Sequence, residues 1–536
     1  MRLRHPLVRE ALLSAAAAAS VAAALAWLGP PGTDFAAHAY QRTLFLEHGF
    51  TLWNNFWYAG RYSFVTYSLI YYPLAGWLGI KLLAVATIAL AALAFAVVLW
   101  REWGAETRWS SRTFAVVWAG IVLSAAFPFA LGMSLALLAI WALQAGKRWR
   151  FAALAGLTLA ASPLSFLLLV FVLGGVAIAR RDSLWRNWVP VAGVGAAALV
   201  EVLLWRIFPG GGRFPFSGLE LIAGVLFCGS SLVLTWRVES ARVLRFFFAI
   251  YLLAMVTMYL VPTAIGENIA RLRYASIPLM VLVFSLRRWQ PRWICVSILA
   301  LAFAWNVSPL AWSLFRNGGD VTAQAKTWSS AISYLKANLG PSYRVEAVDT
   351  ATHSAAVYLA DARIPLARGW YRQDDFPQNE VLYDDDLGPK TYLAWLRGLG
   401  VRYVVLPHAT LDYSSRAEAA LVRSGRLGLV RVFHTRDLSI FRVPHARSII
   451  TGPGSPVLTS VTQSRIGAEV HRGGTYRIAV RWSPYWHASL GCLSEGKDNM
   501  VRLTTRRAHF VRLTFRVNAV RALDEIVGQQ PSCTLP

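Results

Sequence analysis

The chain has 536 residues, of which 56% are hydrophobic and 15% charged, and its mean hydropathy is +0.45. Soluble domains of this length rarely reach such a hydropathy, and the apolar runs concentrate in 1–312, which excludes a single soluble domain. The net charge of +25 does not indicate a nucleic-acid partner, because the basic residues of 1–312 form short clusters between apolar runs, as topology signals do. Membrane lipids are the partner that this pattern favours.

Residues 1–312 predict a polytopic α-helical membrane domain with about eleven spans. The 11–29 run is interpreted as a retained first helix rather than a signal peptide. The 151–179 run is too long for one crossing and contains Ser162-Pro163, which predicts a hairpin. The tyrosine-rich 62–79 run, with Pro73, predicts a re-entrant or interfacial segment. The predicted spans lie at 11–29, 82–100, 113–127, 131–146, 151–162, 164–179, 189–207, 217–235, 243–262, 276–286 and 293–312.

The distribution of positive charge predicts the topology. Loops on the N-terminal side of these spans carry eighteen lysines and arginines, whereas the opposite loops carry six. The positive-inside rule then places the N-terminus in the cytoplasm. An odd number of crossings places residues 313–536 outside, which predicts a multi-pass plasma-membrane protein with an extracytoplasmic C-terminal region.

The first outer loop, residues 30–75, combines an acid, a histidine and a dense aromatic cluster. Asp34 and His38 lie four residues apart, on one face of a predicted helix over 35–48. The aromatic residues of the cluster include Trp53, Trp57 and Tyr58. Such rings stack on sugar faces or anchor at the headgroup level of a membrane, and the second is the default interpretation.

The rest of the chain predicts two further domains, an extracytoplasmic α/β domain over 313–445 and a β-sandwich over 446–536. The expected helices lie at 324–339, 353–360, 390–399 and 414–423, and the expected strands at 343–348, 401–406, 427–433 and 438–443. Acids and aromatic rings over 369–386 indicate either a saccharide or cation site or a solvated loop. Cys492 and Cys533 lie where an oxidising exterior would permit a disulfide.

The sequence around the first outer loop resembles a known family. Gly-Thr-Asp-x-x-x-His at 32–38 is followed by Trp-Asn-x-x-Trp-x-x-Gly at 53–60 and Tyr-x-Pro-Leu at 71–74. This arrangement is similar to that of membrane proteins with the 6-pyruvoyl-tetrahydropterin synthase-related domain, a historical name that implies no pterin chemistry. These proteins look related to the C-type glycosyltransferase superfamily (GT-C), which includes protein O-mannosyltransferases and arabinosyltransferases. The resemblance implies a GT-C-like membrane fold and a polyprenyl-phosphate sugar donor.

The resemblance also assigns roles in the first outer loop. Members of the superfamily carry an acid near the start of this loop, and Asp34 is the matching position. Asp34 is therefore the candidate catalytic base, and His38 would orient it or contact the substrate. Capping of the helix over 35–48 is an alternative role of Asp34 that is compatible with the first. Many members carry two adjacent acids here, whereas Phe35 follows Asp34, so no metal site and no cofactor are expected, a divalent cation being allowed but not indicated.

Residues of later outer loops complete the predicted site. Arg271 and Arg273 break the pattern of cation-poor outer loops, and their guanidinium groups suit the oxygens of a leaving phosphate. These arginines and Glu267 are the candidate substrate-binding residues, with headgroup snorkelling of the arginines as the alternative. Glu220 is a candidate second acid, although its place at the start of a helix also suits the positive end of the helix dipole.

Together these residues predict a membrane glycosyltransferase that moves a sugar from a polyprenyl-phosphate donor to a glycan or protein acceptor on the outer face. Two alternatives stay open. One is a non-catalytic cell-envelope scaffold or glycan-binding membrane protein. The other is a lipid or polysaccharide transporter or flippase, which the lack of a clear internal repeat disfavours.

Overall fold

The computed structural model describes residues 6–180, 188–210 and 212–528. The chain forms two compact units. The helical unit comprises Met1–Thr33, Tyr67–Val202 and Gly212–Gly318, and the strand-rich unit comprises Asp34–Thr66, Leu203–Gly211 and Gly319–Pro536. Most of the predicted outer loop, residues 34–66, thus belongs to the same unit as the C-terminal region.

The elements are numbered in chain order over the described residues. The α-helices are α1 (Pro6–Leu28), α2 (Phe35–His48), α3 (Tyr71–Leu78), α4 (Ile80–Trp103), α5 (Arg108–Val117), α6 (Ile121–Ser124), α7 (Phe127–Gln144), α8 (Arg148–Ala161), α9 (Pro163–Ala179), α10 (Trp188–Ile207), α11 (Gly218–Thr235), α12 (Arg242–Leu260), α13 (Ser276–Leu286), α14 (Arg292–Gly318), α15 (Ala325–Asn338), α16 (Ala355–Asp361), α17 (Pro389–Gly398), α18 (Arg416–Arg423) and α19 (Ala519–Val527). The strands are β1 (Trp53–Asn54), β2 (Arg61–Tyr62), β3 (Arg344–Ala347), β4 (Val401–Pro407), β5 (Val430–His434), β6 (Leu438–Arg442), β7 (Ile450–Thr451), β8 (Val457–Val461), β9 (Arg465–Val470), β10 (Gly474–Arg481), β11 (Trp486–Ala488), β12 (Cys492–Glu495), β13 (Met500–Thr505) and β14 (His509–Phe515).

Eight helical segments within the described residues are long and apolar enough to cross a membrane, which makes the chain a multi-pass membrane protein. The predicted span at 82–100 and most of the one at 113–127 fall within one helical stretch, Ile80–Ser124. Those at 151–162 and 164–179 form the shorter helices α8 and α9. The number of crossings and the orientation of the termini therefore stay predictions.

The breaks between these helices have local causes. The hydroxyl of Ser162 accepts a hydrogen bond from the Ser165 amide at 3.3 Å, and Pro163 takes the first position of α9. The 151–179 run therefore breaks at Ser162-Pro163, as these residues predict. The 62–79 run contains the eight-residue helix α3, which is too short to span a bilayer.

Small side chains allow close helix packing in the helical unit. α1 packs against α4, and the buried stripe of α1 includes Ser14, Ala18 and Ala22, each at most 2% exposed. Buried positions of α4 include Ala84 and Ala91. Small residues let two helix backbones approach closely. Because lipid is as apolar as the helices, the hydrophobic effect does not drive their association, and close van der Waals packing stabilises it instead.

The C-terminal part of the strand-rich unit contains one mixed sheet and two antiparallel sheets. The mixed sheet has the order β3-β4-β6-β5, with β3 and β4 parallel and the other pairs antiparallel. Each helix and strand expected over 324–443 has a counterpart, α15 to α18 and β3 to β6. The domain boundaries at 312, 445 and 446 stay predictions.

The two antiparallel sheets have the orders β12-β13-β10-β7 and β11-β14-β9-β8. Alternate residues of β14, namely Val511, Leu513 and Phe515, are buried, as in a strand with one face on a core. A common apolar core contains residues of both sheets, which fits the predicted sandwich. Cys533 lies outside the described residues, so its pairing with Cys492 stays a prediction.

The aromatic motif at 53–60 builds a small hairpin of the strand-rich unit. Trp53 pairs with Tyr62 across β1 and β2. Gly60 has a φ of 109°, and a Cβ there would lie 2.7 Å from the Trp53 indole, so this position requires glycine. Trp53 is 1% exposed and stacks on Phe515 with 4.8 Å between ring centroids, which joins the hairpin to the sandwich core.

Candidate functional site

Asp34 occupies the N-cap position of α2, but its side chain makes no capping hydrogen bond. Its Oδ1 instead accepts a hydrogen bond from Nε1 of Trp370 at 3.1 Å. The residue is half-buried in the strand-rich unit. The capping alternative therefore explains where Asp34 lies in the chain but not what its carboxylate binds. That carboxylate is held by a residue far along the chain.

Trp370 is packed on several sides. The ring of His353 stacks on the indole with an interplanar angle of 7°, and the Arg372 guanidinium lies 4.9 Å from the indole centroid. A Cβ at Gly369 would lie 2.4 Å from Cγ of Trp57, so glycine lets this loop approach the Trp57 ring. The indole N–H that reaches Asp34 is therefore set in a rigid environment.

His353 forms a dyad with Asp349. Its Nδ1 lies 2.6 Å from Oδ2 of Asp349, so a neutral imidazole donates from Nδ1 and carries its lone pair on Nε2. Nε2 is buried and has no hydrogen-bond partner within the described residues. The backbone of His353 has a φ of 53°, a region that a residue other than glycine rarely adopts. Such outliers concentrate at functional sites.

The parallel pair of strands brings this dyad next to a second polar loop. Asp349 and His353 follow β3, and Asp412 follows β4, so both loops extend from the same edge of the mixed sheet. Ligands of sheets with parallel strands commonly bind beyond the carboxyl ends of those strands. Arg372 binds Asp412 at 3.2 Å. Burial opposes ionisation of Asp412, but the Arg372 guanidinium and the hydrogen bonds from Ser414 outweigh it and hold the pKa of Asp412 below its ordinary value.

A second buried ionic group supports the Trp370 loop from its N-terminal side. Arg368 donates to Oε1 of Glu346 at 2.9 Å and to Oε2 of Glu418 at 3.1 Å, and both glutamates are fully buried. Tyr392 donates to Glu418 at 2.6 Å. Burial raises the pKa of Glu346 and of Glu418 despite the neighbouring guanidinium.

The predicted aromatic site residues lie in the interior of the strand-rich unit. Trp57 donates to the carbonyl of Ala356 at 2.8 Å, and Tyr58 donates to the carbonyl of Tyr371 at 2.9 Å. Trp53, Trp57 and Tyr58 are at most 3% exposed. In this structure their rings pack against protein, so they present no open face to a sugar or to a lipid headgroup. His38 is also fully buried in this unit.

The other predicted site residues lie in the helical unit. Arg273 donates to Oε1 of Glu220 at 2.8 Å, and Trp305 donates to Oε2 of the same carboxylate at 2.8 Å. Glu220 is thus bound by two tertiary donors, and its amide is capped by the hydroxyl of Ser217.

Glu267 and Arg271 have different surroundings. Oε2 of Glu267 accepts a hydrogen bond from the Ser217 amide at 3.0 Å and so helps to cap α11. The Arg271 guanidinium lies 5.5 Å from the ring centroid of Phe129. The structure therefore brings Glu220 and Arg273 together, whereas Glu267 caps the N-terminal end of α11.

The surroundings of Asp34 are not visible in the sequence. The 369–386 pattern fits either a saccharide or cation site or a solvated loop. Trp370, Arg372 and Asp375 are buried, whereas the exposed Asp384–Asp386 run behaves as a solvated loop. Polar residues directly after two parallel strands were the signal that could have identified Asp349 and Asp412. Within the described ranges, no group of three or more His, Cys, Asp or Glu is arranged to hold a metal ion.

Comparison with known proteins identifies structural relatives only. No protein-family model and no curated protein sequence matches the chain. A cryo-EM structure of the arabinofuranosyltransferase AftD from Mycobacteria matches with a TM-score of 0.50 and 15% identity, over 87% of this chain and 41% of that one. A structure of a point mutant of AftD matches with a TM-score of 0.51 and 13% identity, over 96% of this chain and 60% of that one. The chain thus spans roughly half the length of these relatives and is similar to them in fold.

Proposed function

We propose that the protein is a membrane glycosyltransferase that transfers a sugar from a polyprenyl-phosphate donor to a hydroxyl of a glycan or protein acceptor on the outer face of the membrane. The observation that supports this most directly is the environment of Asp34, whose carboxylate is held by the Trp370 indole instead of by the helix that it begins. The fold similarity to an arabinofuranosyltransferase favours the same class of reaction.

In the proposed reaction Asp34 is the general base. It takes the proton of the acceptor hydroxyl while that oxygen forms a bond to the anomeric carbon of the sugar. The bond from the anomeric carbon to the phosphate oxygen breaks, and the polyprenyl phosphate leaves with the electron pair. A hydrogen bond from Trp370 orients the carboxylate, and the ionised carboxylate is the form that accepts the proton.

The leaving phosphate needs cationic partners, and Arg271 and Arg273 are the proposed ones. The ion pair with Glu220 holds one amino group of the Arg273 guanidinium, so Glu220 is proposed to orient Arg273 rather than to act as an acid itself. His38 and Glu267 keep their proposed supporting roles. The strand-rich unit is proposed to position the acceptor.

Replacement of Asp34 by asparagine tests this proposal. Asp34→Asn keeps the size of the side chain and can still accept from Trp370, but it removes the base. We expect transfer to fall by about 10²–10⁴-fold, the usual contribution of a general base. Membranes that contain each variant would be incubated with radiolabelled polyprenyl-phosphate pentoses and hexoses.

The matched control is Glu47→Gln near the opposite end of α2, where the side chain is half exposed. We expect this control to keep full transfer, and both variants to keep the melting temperature of the parent protein. Undiminished transfer by a folded Asp34→Asn protein would exclude Asp34 as the base.

A further inference from the structure

The helical unit contains a cavity of about 610 Å³ with largely apolar walls. The walls come from α4, α5, α7, α8, α9, α10, α12 and α13. This volume lies within the range of ligand pockets in proteins. Its apolar lining suits a hydrocarbon chain, which a helical unit that crosses a membrane meets at high concentration.

The polar lining residues of this cavity gather at one set of helix ends. Glu102, Gln144 and Arg180 lie at or just beyond the C-terminal ends of α4, α7 and α9. Arg180 donates to Glu102. The amide of Gln144 donates to the carbonyl of Val98 at 3.2 Å, but its Oε1 is buried and accepts no hydrogen bond within the described part of the chain. The cavity therefore has one polar end, formed by an arginine–glutamate ion pair and an amide oxygen that can accept a hydrogen bond.

The same helix ends carry features of a membrane interface. Exposed basic residues directly precede lining residues in the chain there, Arg150 before Phe151 and Arg242 before Val243. Exposed tryptophans occur in the same connections and first turns, at Trp109, Trp149, Trp188 and Trp236, each at least 63% exposed. Tryptophan belts mark the headgroup level of a bilayer, and basic pockets between membrane helices bind anionic headgroups.

We propose that this cavity binds an anionic glycerophospholipid, with one acyl chain between the helices, its phosphate among the arginines, and a headgroup hydroxyl donating to Gln144. The arginines beside the cavity favour an anionic headgroup over a zwitterionic one. The unpartnered Gln144 oxygen favours a headgroup that carries a hydroxyl. The proposal is independent of glycosyl transfer, since it uses none of the residues assigned to that reaction.

Lipid retention by the purified full-length protein tests the proposal. The protein in mild detergent would be mixed with phosphatidylglycerol, phosphatidylcholine or diacylglycerol of identical chains, and bound lipid counted by native mass spectrometry. We expect one phosphatidylglycerol per chain and about a tenfold preference over phosphatidylcholine, because the arginines at this end attract the anionic headgroup. Glycerol phosphate without acyl chains should not compete.

Two variants locate the bound lipid. Ala177→Phe places a ring in the cavity and should abolish retention, whereas Val233→Phe adds the same bulk at a position that is 74% exposed and should leave it unchanged. Equal retention of phosphatidylglycerol and phosphatidylcholine by the unmodified protein would refute the proposal, whether or not the variants fold. Retention by Ala177→Phe, or recovery of a polyprenyl phosphate displaced by that variant, would also refute it.

Discussion

The two units bury charged side chains in different ways. In the helical unit, Glu220 and Arg273 form a one-to-one pair whose side chains are 17% and 19% exposed, and Trp305 adds one donor. In the strand-rich unit, Arg368 contacts two glutamates that are completely buried. The first arrangement is a local pair near the end of a helix, and the second is a shared network in which each member satisfies several others.

The difference follows from the surroundings of each unit. Membrane helices satisfy their own backbone groups, and charged residues among them are costly and few. A strand-rich unit of mixed sequence carries charged residues throughout, most of which are normally exposed. A buried charge in such a unit is stable only within a hydrogen-bonded network, and removal of one member leaves the others unpaired. Variants of the two arrangements should therefore differ in the size of their effects.

The largest effect is expected for Arg368→Met, which leaves two buried glutamates without their common partner. We expect a loss of about 3–5 kcal/mol in the free energy of unfolding, measured by urea titration of the full chain in detergent with tryptophan fluorescence. Arg416→Met, at an exposed position of α18, is the matched control and should stay within about 0.5 kcal/mol of the parent. Equal effects of the two variants would remove the distinction between network and surface charges.

The pair in the helical unit should show a smaller, strictly pairwise effect. We expect the effects of Glu220→Gln and Arg273→Gln on the free energy of unfolding to be non-additive by about 2 kcal/mol. The reason is that each single variant leaves its partner without a counter-charge. Thermal unfolding of both single variants and the double variant measures this coupling. The exposed Glu239→Gln substitution should show no coupling to Arg273→Gln. Additive effects would mean that the two side chains do not stabilise each other.

Trp370→Phe tests the hydrogen bond in the strand-rich unit that holds Asp34, the proposed base. The variant keeps an aromatic ring against His353 but removes the N–H that reaches Asp34. We expect kcat/KM for sugar transfer to fall about tenfold, since a hydrogen bond to a charged group contributes about 1.5–3 kcal/mol. The loss should fall on kcat with KM unchanged, because the hydrogen bond orients the proposed base and does not hold the substrate.

Trp395→Phe is the control for this prediction, since it removes an indole N–H that binds Asn379 in the same unit. It should leave both kcat and KM unchanged. Equal falls of kcat in the two variants would mean that the Trp370 N–H has only a structural role.

Asp412 is expected to give the smallest effect, and one that depends on pH. Its pKa is held below the ordinary value in the folded protein, so the unfolded chain binds the proton more tightly. The contribution of Asp412 to stability is therefore present above its unfolded pKa and lost as the pH falls below it. Between pH 6 and pH 3, we expect the free energy of unfolding to fall by about 1 kcal/mol less in Asp412→Asn than in the parent. The midpoints of urea unfolding measure this change. The exposed Asp385→Asn variant should follow the parent curve.

Local patterns in the sequence predicted much of the fold. Hydropathy identified the helical segments of the membrane region, and Ser162-Pro163 marked the break between α8 and α9. Alternation of strand and helix patterns anticipated α15 to α18 and β3 to β6. These features depend on residues within one turn or one strand of each other, so their causes are contained in short stretches of chain.

The candidate site was predicted only in part. Asp34 and Glu220 stood out as acids near the ends of apolar helices, where charge is rare. His353 and Asp412 did not stand out, because polar residues are common in 313–445 and their burial is not visible in the sequence. Trp370 lies in the 369–386 segment, for which the sequence allows either a site or a solvated loop. The sequence also suggested exposed roles for Trp53 and Trp57, whereas both pack in an interior.

The sequence by itself determined which segments are apolar enough for a membrane, where helices break and where strands alternate, because these depend on local periodicity and on the backbone limits of proline and glycine. Only the tertiary structure decided that the carboxylate of Asp34 is bound by Trp370 and that Trp370 is packed by His353. Those partners are separated from Asp34 by more than three hundred residues. Such contacts arise from the packing of a whole unit, and no short sequence pattern encodes them.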